Sequence, residues 1–313
     1  MQFPEPTFVP TNGIELEVFS VPAQGTDSPK PLVLCHGWPE LAYSWRHQLQ
    51  PLAEAGYHVI APNQRGYGHS SRPDAVAAYD VSELSADLMG LLDHYGYDDA
   101  VFVGHDWGAI VVWTLPLLHP QRVRGVINLS VPFLERGELD WVSFWEQQMG
   151  QDFYIVHFNR QPGVADAVFD ANTRQFLSNL YRTRQWQHPA PEPQPGMALI
   201  NLAQATASVG DPLLSEAELD YFVRAFEHSG FTGGINWYRN FTRNWELTAG
   251  IEPLVKQPAL MLYGRYDMVS QSDSLRRFAP NVEEHVLECG HWIQQEQPEE
   301  TTALMLDWLS RHY

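Results

Sequence analysis

Short apolar runs recur along this chain, and most of them stop at a glycine or a proline. Continuous short runs of this kind are typical of strands that are buried on both faces of a sheet. The pattern predicts strands at Leu32–Cys35, His58–Ala61, Ala100–Val103, Val126–Leu129, Ala259–Tyr263 and Glu284–Glu288.

Helical patterns fill several of the stretches between these runs. Leucines recur at helical spacing within Ser82–Tyr95, an apolar stretch at Ala109–Leu118 follows a predicted strand directly, and Thr301–Tyr313 is amphipathic. Alternation of strand and helix favours an α/β fold, in which a mostly parallel sheet has helices on both faces.

The composition changes after Pro132. From Phe133 to about Trp245 the chain is rich in Trp, Phe, Tyr, Gln and Arg and is predicted to be mainly helical. The run Pro189–Pro195 is too rich in proline for regular structure. We therefore expect a core domain at 1–132 and 246–313, with a helical cap domain inserted at 133–245.

The net charge and the lack of long apolar segments limit the kinds of binding partner that this protein can have. Acidic residues number 38 against 19 basic ones, and the net charge of -19 would repel the phosphates of a nucleic acid. Met1–Pro10 has no basic stretch followed by an apolar run, and no segment is apolar enough to span a bilayer. We expect a cytoplasmic protein without nucleic acid or membrane partners, in which Cys35 and Cys289 are buried reduced thiols rather than a disulfide.

The sharpest local motif surrounds Asp106. The segment Val101–Ala109 runs from an apolar strand into a helix, with glycines two residues before and after the aspartate. Small residues are needed because a tight strand-to-helix turn brings backbones together and pushes the central side chain outward. This predicts a nucleophile elbow, although Asp106 could instead only cap the helix. The neighbouring His105 should face the other side and be packed or hydrogen-bonded.

An aspartate nucleophile narrows the reaction class. Most hydrolases with such an elbow carry serine there, but Gly-x-Ser-x-Gly is absent from this sequence. Serine attacking an sp3 carbon would leave an ether, whereas aspartate leaves an ester whose carbonyl carbon water can attack. The substrate is thus expected to carry an epoxide or a carbon–halogen bond.

Hydrolysis of such an ester needs donors for the developing oxyanion. One is expected to be the amide of Trp107, after the nucleophile, and the other the amide of Trp38, in the turn after the strand Leu32–Cys35. The Trp38–Pro39 peptide is open to a cis conformation. The side chains of Trp38, Pro39, Trp107 and Trp292 are expected to line the substrate pocket.

His291 is the expected general base. It follows a predicted strand near the C-terminus, where the histidine belongs in the order nucleophile, acid, histidine. Neutral imidazole can take a proton from water, and a carboxylate should fix its tautomer. Asp267, just after the strand Ala259–Tyr263, is the expected carboxylate, and Asp273 and Glu288 are less well placed alternatives.

Several motifs together resemble the α/β-hydrolase-fold epoxide hydrolases, in their soluble and bacterial branch, over nearly the whole chain. They are His36-Gly37-Trp38-Pro39-Glu40 with Tyr43-Ser44-Trp45-Arg46, Arg65-Gly66-Tyr67-Gly68 with Ser70 and Ser71, the aspartate elbow, and Asn236-Trp237-Tyr238-Arg239-Asn240. The resemblance implies an α/β-hydrolase fold in which the helical insertion is a lid.

In that family two lid tyrosines hydrogen-bond the epoxide oxygen. Such donors are needed because the oxygen departs as an alkoxide, and tyrosine hydroxyls are neutral donors. The resemblance nominates Tyr238 as one tyrosine. Tyr154 resembles the other, and Tyr181 is the alternative to Tyr154.

The resulting hypothesis is an epoxide hydrolase that opens a small apolar epoxide with water and needs no metal or organic cofactor. A haloalkane dehalogenase is one alternative, but it would leave the tyrosines without a task, and that family often has asparagine where this chain has Trp38. A binding protein that has lost turnover is the other alternative. Abundant Trp and Phe in the predicted lid favour an apolar substrate, and the protein is expected to be a monomer or a homodimer.

Overall fold

A computed structural model describes residues 3–188, 198–206 and 208–313 of the protein. Within these residues the strands are β1 (Thr7–Thr11), β2 (Ile14–Val21), β3 (Lys30–Cys35), β4 (Tyr57–Asn63), β5 (Ala100–His105), β6 (Val123–Leu129), β7 (Arg182–Thr183), β8 (Asp211–Pro212), β9 (Ala259–Gly264) and β10 (Val282–Leu287). The α-helices there are α1 (Leu49–Glu54), α2 (Val81–Tyr95), α3 (Trp107–Leu118), α4 (Trp141–Met149), α5 (Tyr154–Arg160), α6 (Val164–Ala171), α7 (Thr173–Leu180), α8 (Ala198–Gln204), α9 (Glu216–Ser229), α10 (Thr232–Arg239), α11 (Phe241–Leu247), α12 (Leu275–Phe278), α13 (Ile293–Glu296) and α14 (Pro298–His312). The run Pro189–Pro195, expected to be irregular, lies outside the described residues.

The main sheet has the strand order β1-β2-β4-β3-β5-β6-β9-β10. Strands from β4 across to β10 pair in parallel, whereas β1 with β2 and β2 with β4 pair antiparallel. This confirms the expected mostly parallel α/β-hydrolase sheet, and each predicted strand overlaps one of its parallel strands. Strand β2 was not predicted because its apolar residues mostly alternate with polar ones, and β1 was not predicted because it has only Phe8 and Val9 beside a proline.

The described chain divides into two compact units. One, called here the sheet unit, comprises Met1–Gln64, Val81–Leu134 and Ile251–Tyr313. The other, called the helical unit, comprises Arg65–Asp80 and Glu135–Gly250. The expected division into a core domain and a cap domain stays a prediction.

The helical unit includes the loop Arg65–Asp80, which was expected to belong to the core domain. Trp237 Nε1 donates to the carbonyl oxygen of Arg65 at 3.1 Å, and the Asn240 side-chain amide donates to that of Val76 at 2.6 Å. These bonds join the loop to α10 and to the residue that follows it. Because the partners are far apart in sequence, no local pattern predicts this association.

Apolar packing holds the ends of the central strands in place. Side chains from neighbouring strands form one buried cluster with α14, including Val101, Val103, Ile127, Leu129, Leu260, Leu262, Met305, Trp308 and Leu309. Burial of each large apolar side chain contributes about 1.5–3 kcal/mol, so the cluster fixes the register of these strands. Because β5, β6, β9 and β10 pair in parallel, their carboxyl ends lie at one edge of the sheet.

The two cysteines are free and buried, which confirms the expectation of unpaired thiols. Burial raises the pKa of the Cys35 and Cys289 thiols far above the ordinary range, so both stay protonated and unreactive near neutral pH. Across the described ranges, no helix has the length and apolar character needed to cross a membrane.

Candidate active site

Asp106 lies at the turn between β5 and α3. Its backbone φ of 52° and ψ of −118° lie outside the regions that most residues adopt, so the turn is strained. A Cβ on Gly108 would overlap the carbonyl of Cys35, and one on Gly104 would overlap the carbonyl of Gly108. Among the described contacts, the Asp106 side chain makes no N-capping hydrogen bond to the α3 amides that follow Trp107, which argues against a role as a helix cap.

The Asp106 carboxylate meets the two amides that were expected to form the oxyanion hole. The Trp38 amide donates to Asp106 Oδ1 at 2.7 Å, and the Trp107 amide also hydrogen-bonds the carboxylate. The Trp38–Pro39 peptide is cis. The Asp106 side chain remains accessible, with 14% of its surface exposed. The side chains of Trp38, Pro39, Trp107 and Trp292 are buried, and their place in a substrate pocket stays a prediction.

His291 and Asp267 meet at the ends of two adjacent parallel strands. Asp267 follows β9 and His291 follows β10, and His291 Nδ1 lies 3.0 Å from Asp267 Oδ1. The other ring nitrogen, Nε2, lies 3.8 Å from Asp106 Oδ2. The structure therefore brings the nucleophile, base and acid candidates of the sequence analysis into one cluster.

The other two candidate acids lie elsewhere. Glu288 is exposed, and its carboxylate pairs with the guanidinium of Arg265. In the described part of the chain, Asp273 forms no hydrogen bond with His291, which pairs with Asp267. The geometry thus supports Asp267 over both alternatives.

Neighbouring charges shift the pKa of each group in the cluster. Burial by itself lowers the pKa of His291, but nearby carboxylates, first Asp267 and then Asp106, outweigh burial and raise it to about 9. Burial would raise the pKa of Asp267, but the charge and hydrogen bond of His291 bring it down to about 2. Burial raises the pKa of Asp106, and His291 partly offsets that increase. Near neutral pH, His291 is therefore protonated beside an ionised Asp267.

His105 is buried and hydrogen-bonded, as its expected orientation implies. Its Nδ1 lies 2.6 Å from Glu40 Oε2, and its Nε2 lies 2.8 Å from the carbonyl oxygen of His291. The Glu40 carboxylate also accepts from the Gly37 amide at 2.7 Å and from the Gln294 side chain at 3.0 Å. The buried pair therefore ties the loop after β3 to the nucleophile strand and to the histidine loop.

Within the helical unit, Tyr154 and Tyr238 contact each other. Tyr154 begins α5 and Tyr238 lies in α10, with their ring centroids 5.8 Å apart. Phe158 packs against both rings, at 5.7 Å from Tyr154 and 5.3 Å from Tyr238. Tyr181, the alternative to Tyr154, instead packs on Phe222 with centroids 4.9 Å apart. The structure thus pairs Tyr154, rather than Tyr181, with Tyr238.

Comparison with known proteins shows the family of this chain. The alpha/beta hydrolase fold family matches residues 30–298. Epoxide hydrolase A of Mycobacterium tuberculosis is 41% identical, over 99% of this chain and 98% of the relative, and epoxide hydrolase 2 of Siraitia grosvenorii is 36% identical over 98% of each. The chain belongs to the α/β-hydrolase-fold epoxide hydrolases. The solved structure of epoxide hydrolase A from Mycobacterium thermoresistibile is 41% identical, with a TM-score of 0.87 over 98% of each chain.

Two residues of this epoxide hydrolase site were given no role in the sequence analysis. Glu40 was only part of a motif, and Ser130 was not singled out although its hydroxyl lies 2.6 Å from Asp267 Oδ2. Both are polar residues close to the end of a predicted strand, which is the one sequence signal that could have found them. Their partners depend on the strand order, which the sequence does not reveal.

Proposed function

We propose that this protein hydrolyses epoxides to vicinal diols through a covalent alkyl ester on Asp106. The main support for the proposal is the set of groups that surround the Asp106 carboxylate. Oδ1 accepts from the Trp38 amide at 2.7 Å, and Oδ2 lies 3.8 Å from His291 Nε2. A nucleophile, an oxyanion donor and a general base are thus available together, and the names of the relatives agree with this chemistry.

In the first step, Asp106 Oδ2 attacks an epoxide carbon. A bond forms between that carbon and Oδ2, and the bond from the carbon to the ring oxygen breaks. Oδ1, already held by the Trp38 amide, becomes the carbonyl oxygen of the ester. Because the Trp38 amide holds Oδ1, the attack is directed through Oδ2.

The departing oxygen needs a proton or a strong hydrogen bond as the ring opens. Tyr154 and Tyr238 supply these donors in the proposed mechanism, and one of them transfers its proton to the alkoxide. The contact between their rings, with centroids 5.8 Å apart, supports a paired action. The surrounding rings of Phe153 and Phe241 favour an apolar substrate.

In the second step, His291 Nε2 takes a proton from a water molecule that attacks the Asp106 carboxyl carbon. The electrons of the carbonyl move to Oδ1, where the amides of Trp38 and Trp107 stabilise the negative charge. The tetrahedral intermediate then expels the diol oxygen, which takes the proton from His291. Asp106 leaves this step as a carboxylic acid, returns its proton to His291 and holds one oxygen atom from water.

The pKa of His291 suits this order of steps. In the free enzyme the charge of Asp106 helps to raise that pKa to about 9. Formation of the ester removes this charge, so the pKa of His291 falls and the imidazole can lose its proton. The proton that His291 gives up balances the one that the tyrosine transferred to the substrate. A base is therefore produced only after the ester exists.

A direct test uses a panel of apolar epoxides and short haloalkanes, with diol and halide assayed separately. The proposal expects diol without halide from the wild type, and no diol from Asp106→Ala. Halide release alone would favour a dehalogenase, and bound ligand without product would favour a binding protein. A cytoplasmic location and a monomeric or homodimeric state remain predictions.

The ester and the tyrosines need tests of their own. In a single turnover in ¹⁸O-labelled water, the label is expected in the Asp106 side chain and not in the first diol released. Tyr154→Phe and Tyr238→Phe should each slow ester formation by about 10²–10⁴-fold. Tyr181→Phe is the matched control, since Tyr181 packs on Phe222, and it should form the ester at the wild-type rate.

A further inference from the structure

Ser130 occupies a strained position between the nucleophile strand and the acid strand. It directly follows β6, which lies between β5 and β9 in the sheet. Its φ of 71° is in the left-handed region, which costs a non-glycine residue about 1–2 kcal/mol. Its amide donates to the carbonyl oxygen of Leu262 at 2.9 Å, which anchors this conformation to β9. Strain of this kind concentrates at functional sites.

The Ser130 side chain contacts both partners of the histidine–aspartate pair. Its Oγ lies 2.6 Å from Asp267 Oδ2 and 3.1 Å from His291 Nδ1. The opposite oxygen, Oδ1, accepts from the Val269 amide at 3.0 Å and faces His291 at 3.0 Å. Ser130 is 1% exposed. Donors on both sides therefore fix the rotation of the Asp267 carboxylate.

The direction of these hydrogen bonds follows from the chemistry of the groups. An ionised carboxylate has no proton to give, so the Ser130 hydroxyl must donate to Asp267. Because the Ser130 hydroxyl already donates its proton to Asp267, its oxygen can only accept a hydrogen bond from His291 Nδ1. Both neighbours of Nδ1 thus require a hydrogen there. In the neutral imidazole the free lone pair is consequently on Nε2, the nitrogen that faces Asp106.

We propose that Ser130 is a positioning residue for ester hydrolysis, because its hydroxyl fixes the Asp267 carboxylate and keeps the His291 lone pair on Nε2. The inference rests on the proposed function, since it assigns Ser130 to one step of that mechanism. Ester formation uses the Asp106 carboxylate and the tyrosines, and does not need a neutral imidazole. The loss of the hydroxyl should therefore affect only the second step.

Two substitutions separate the hydroxyl from the strained backbone. Ser130→Ala removes the hydroxyl and keeps a side chain at positive φ, whereas Ser130→Gly removes the hydroxyl and relieves the strain. Ser44→Ala is the matched control. Ser44 is also fully buried in the sheet unit, but its hydroxyl has no hydrogen-bond partner among the described residues.

Both Ser130 variants should hydrolyse the ester about ten- to a hundredfold more slowly than the wild type. Ester formation, which determines kcat/KM, should stay within about threefold, so kcat and KM fall together. Intact-protein mass spectrometry during turnover should then show accumulated alkyl-enzyme. The glycine variant should be at least as stable as the alanine variant while showing the same kinetic defect, and Ser44→Ala should match the wild type.

The inference fails if both Ser130 variants keep the wild-type rate of ester hydrolysis, or if only the alanine variant loses it, because backbone strain would then be the cause. Equal loss of both steps would also overturn it. Failure of the proposed function is a separate result, since the wild type itself would then form no diol and no alkyl-enzyme.

Discussion

His291 Nε2 lies 3.8 Å from Asp106 Oδ2, which is beyond hydrogen-bond reach but well within the range of a strong charge interaction. The same imidazole is 3.0 Å from Asp267 Oδ1 through its other nitrogen. One histidine thus lies between two carboxylates, and together they raise its pKa to about 9. The charge of Asp106 is the part of this arrangement that the proposed reaction would change.

Neutralising Asp106 should lower the pKa of His291. Asp106→Asn keeps the size of the side chain and removes its charge, as the proposed ester does. Titration followed by NMR of the His291 ring should give a value clearly below the value of about 9 that is expected for the wild type. An unchanged pKa would mean that Asp267 alone sets it, and the mass of the variant should be checked for conversion of asparagine to aspartate.

The His291–Asp267 interaction should stabilise the fold within a defined pH window. The folded pKa of His291, about 9, is above its ordinary value of 6.5, so this contribution is complete below 6.5 and is lost as pH rises through 9. The folded pKa of Asp267, about 2, is below its ordinary 3.8, so the contribution is complete above 3.8 and is lost as pH falls through 2. The coupling should therefore be largest between pH 3.8 and 6.5.

A double-mutant cycle with His291→Gln and Asp267→Asn, measured by urea unfolding at several pH values, checks this window. The coupling free energy should be about 2–3 kcal/mol inside it and smaller above pH 9. A coupling that does not depend on pH would show that packing, and not charge, links the two residues.

Asn159 should position the two tyrosines. Its side-chain amide donates to the carbonyl of Ile155 at 2.8 Å in α5 and to that of Tyr238 at 3.0 Å in α10. Asn159→Ala removes this link between the helices and should slow ester formation about tenfold, with little effect on ester hydrolysis. Asn172→Ala is the control, because in the described hydrogen bonds the Asn172 side-chain amide donates only to the carbonyl of Val168, four residues earlier. Rapid-quench kinetics should measure the rate of ester formation in both variants. Equal rates in Asn159→Ala and Asn172→Ala would contradict the positioning role of Asn159.

Removing one partner of the ion pair between Arg239 and Asp166 should lower the free energy of unfolding more than replacing both partners. Both side chains are nearly buried, 9% and 7% exposed, and two hydrogen bonds of 3.0 and 2.6 Å join them. Arg239→Met leaves a buried carboxylate without its partner and should lower the free energy of unfolding by about 3–5 kcal/mol. Adding Asp166→Leu should recover part of that loss in urea unfolding. If the double variant is no more stable than the single one, an unpaired charge is not the cause.

The tight turn that carries Asp106 could be predicted from the sequence because its determinants are local. The spacing of Gly104, Asp106 and Gly108 reflects backbone contacts within one tight turn, so neighbouring residues are enough to predict it. The parallel strands were predictable for a similar reason, since burial on both faces demands continuous apolar runs. Strands β1 and β2 were not recognised, because β2 mostly alternates apolar and polar residues and β1 has only Phe8 and Val9 beside a proline, so neither contains a continuous apolar run.

The tertiary structure alone decided which polar residues become partners. Ser130 meets Asp267 across 137 residues of sequence, and Glu40 meets His105 across 65. These contacts arise because β6 lies between β5 and β9, and β3 beside β5, an order that no local pattern encodes. That Tyr154, and not Tyr181, packs against Tyr238 likewise depended on how α5 packs with α10. Adjacent residues determine the steric limits of a turn and the burial of a strand, whereas the order of the strands in the sheet depends on the packing of the whole chain.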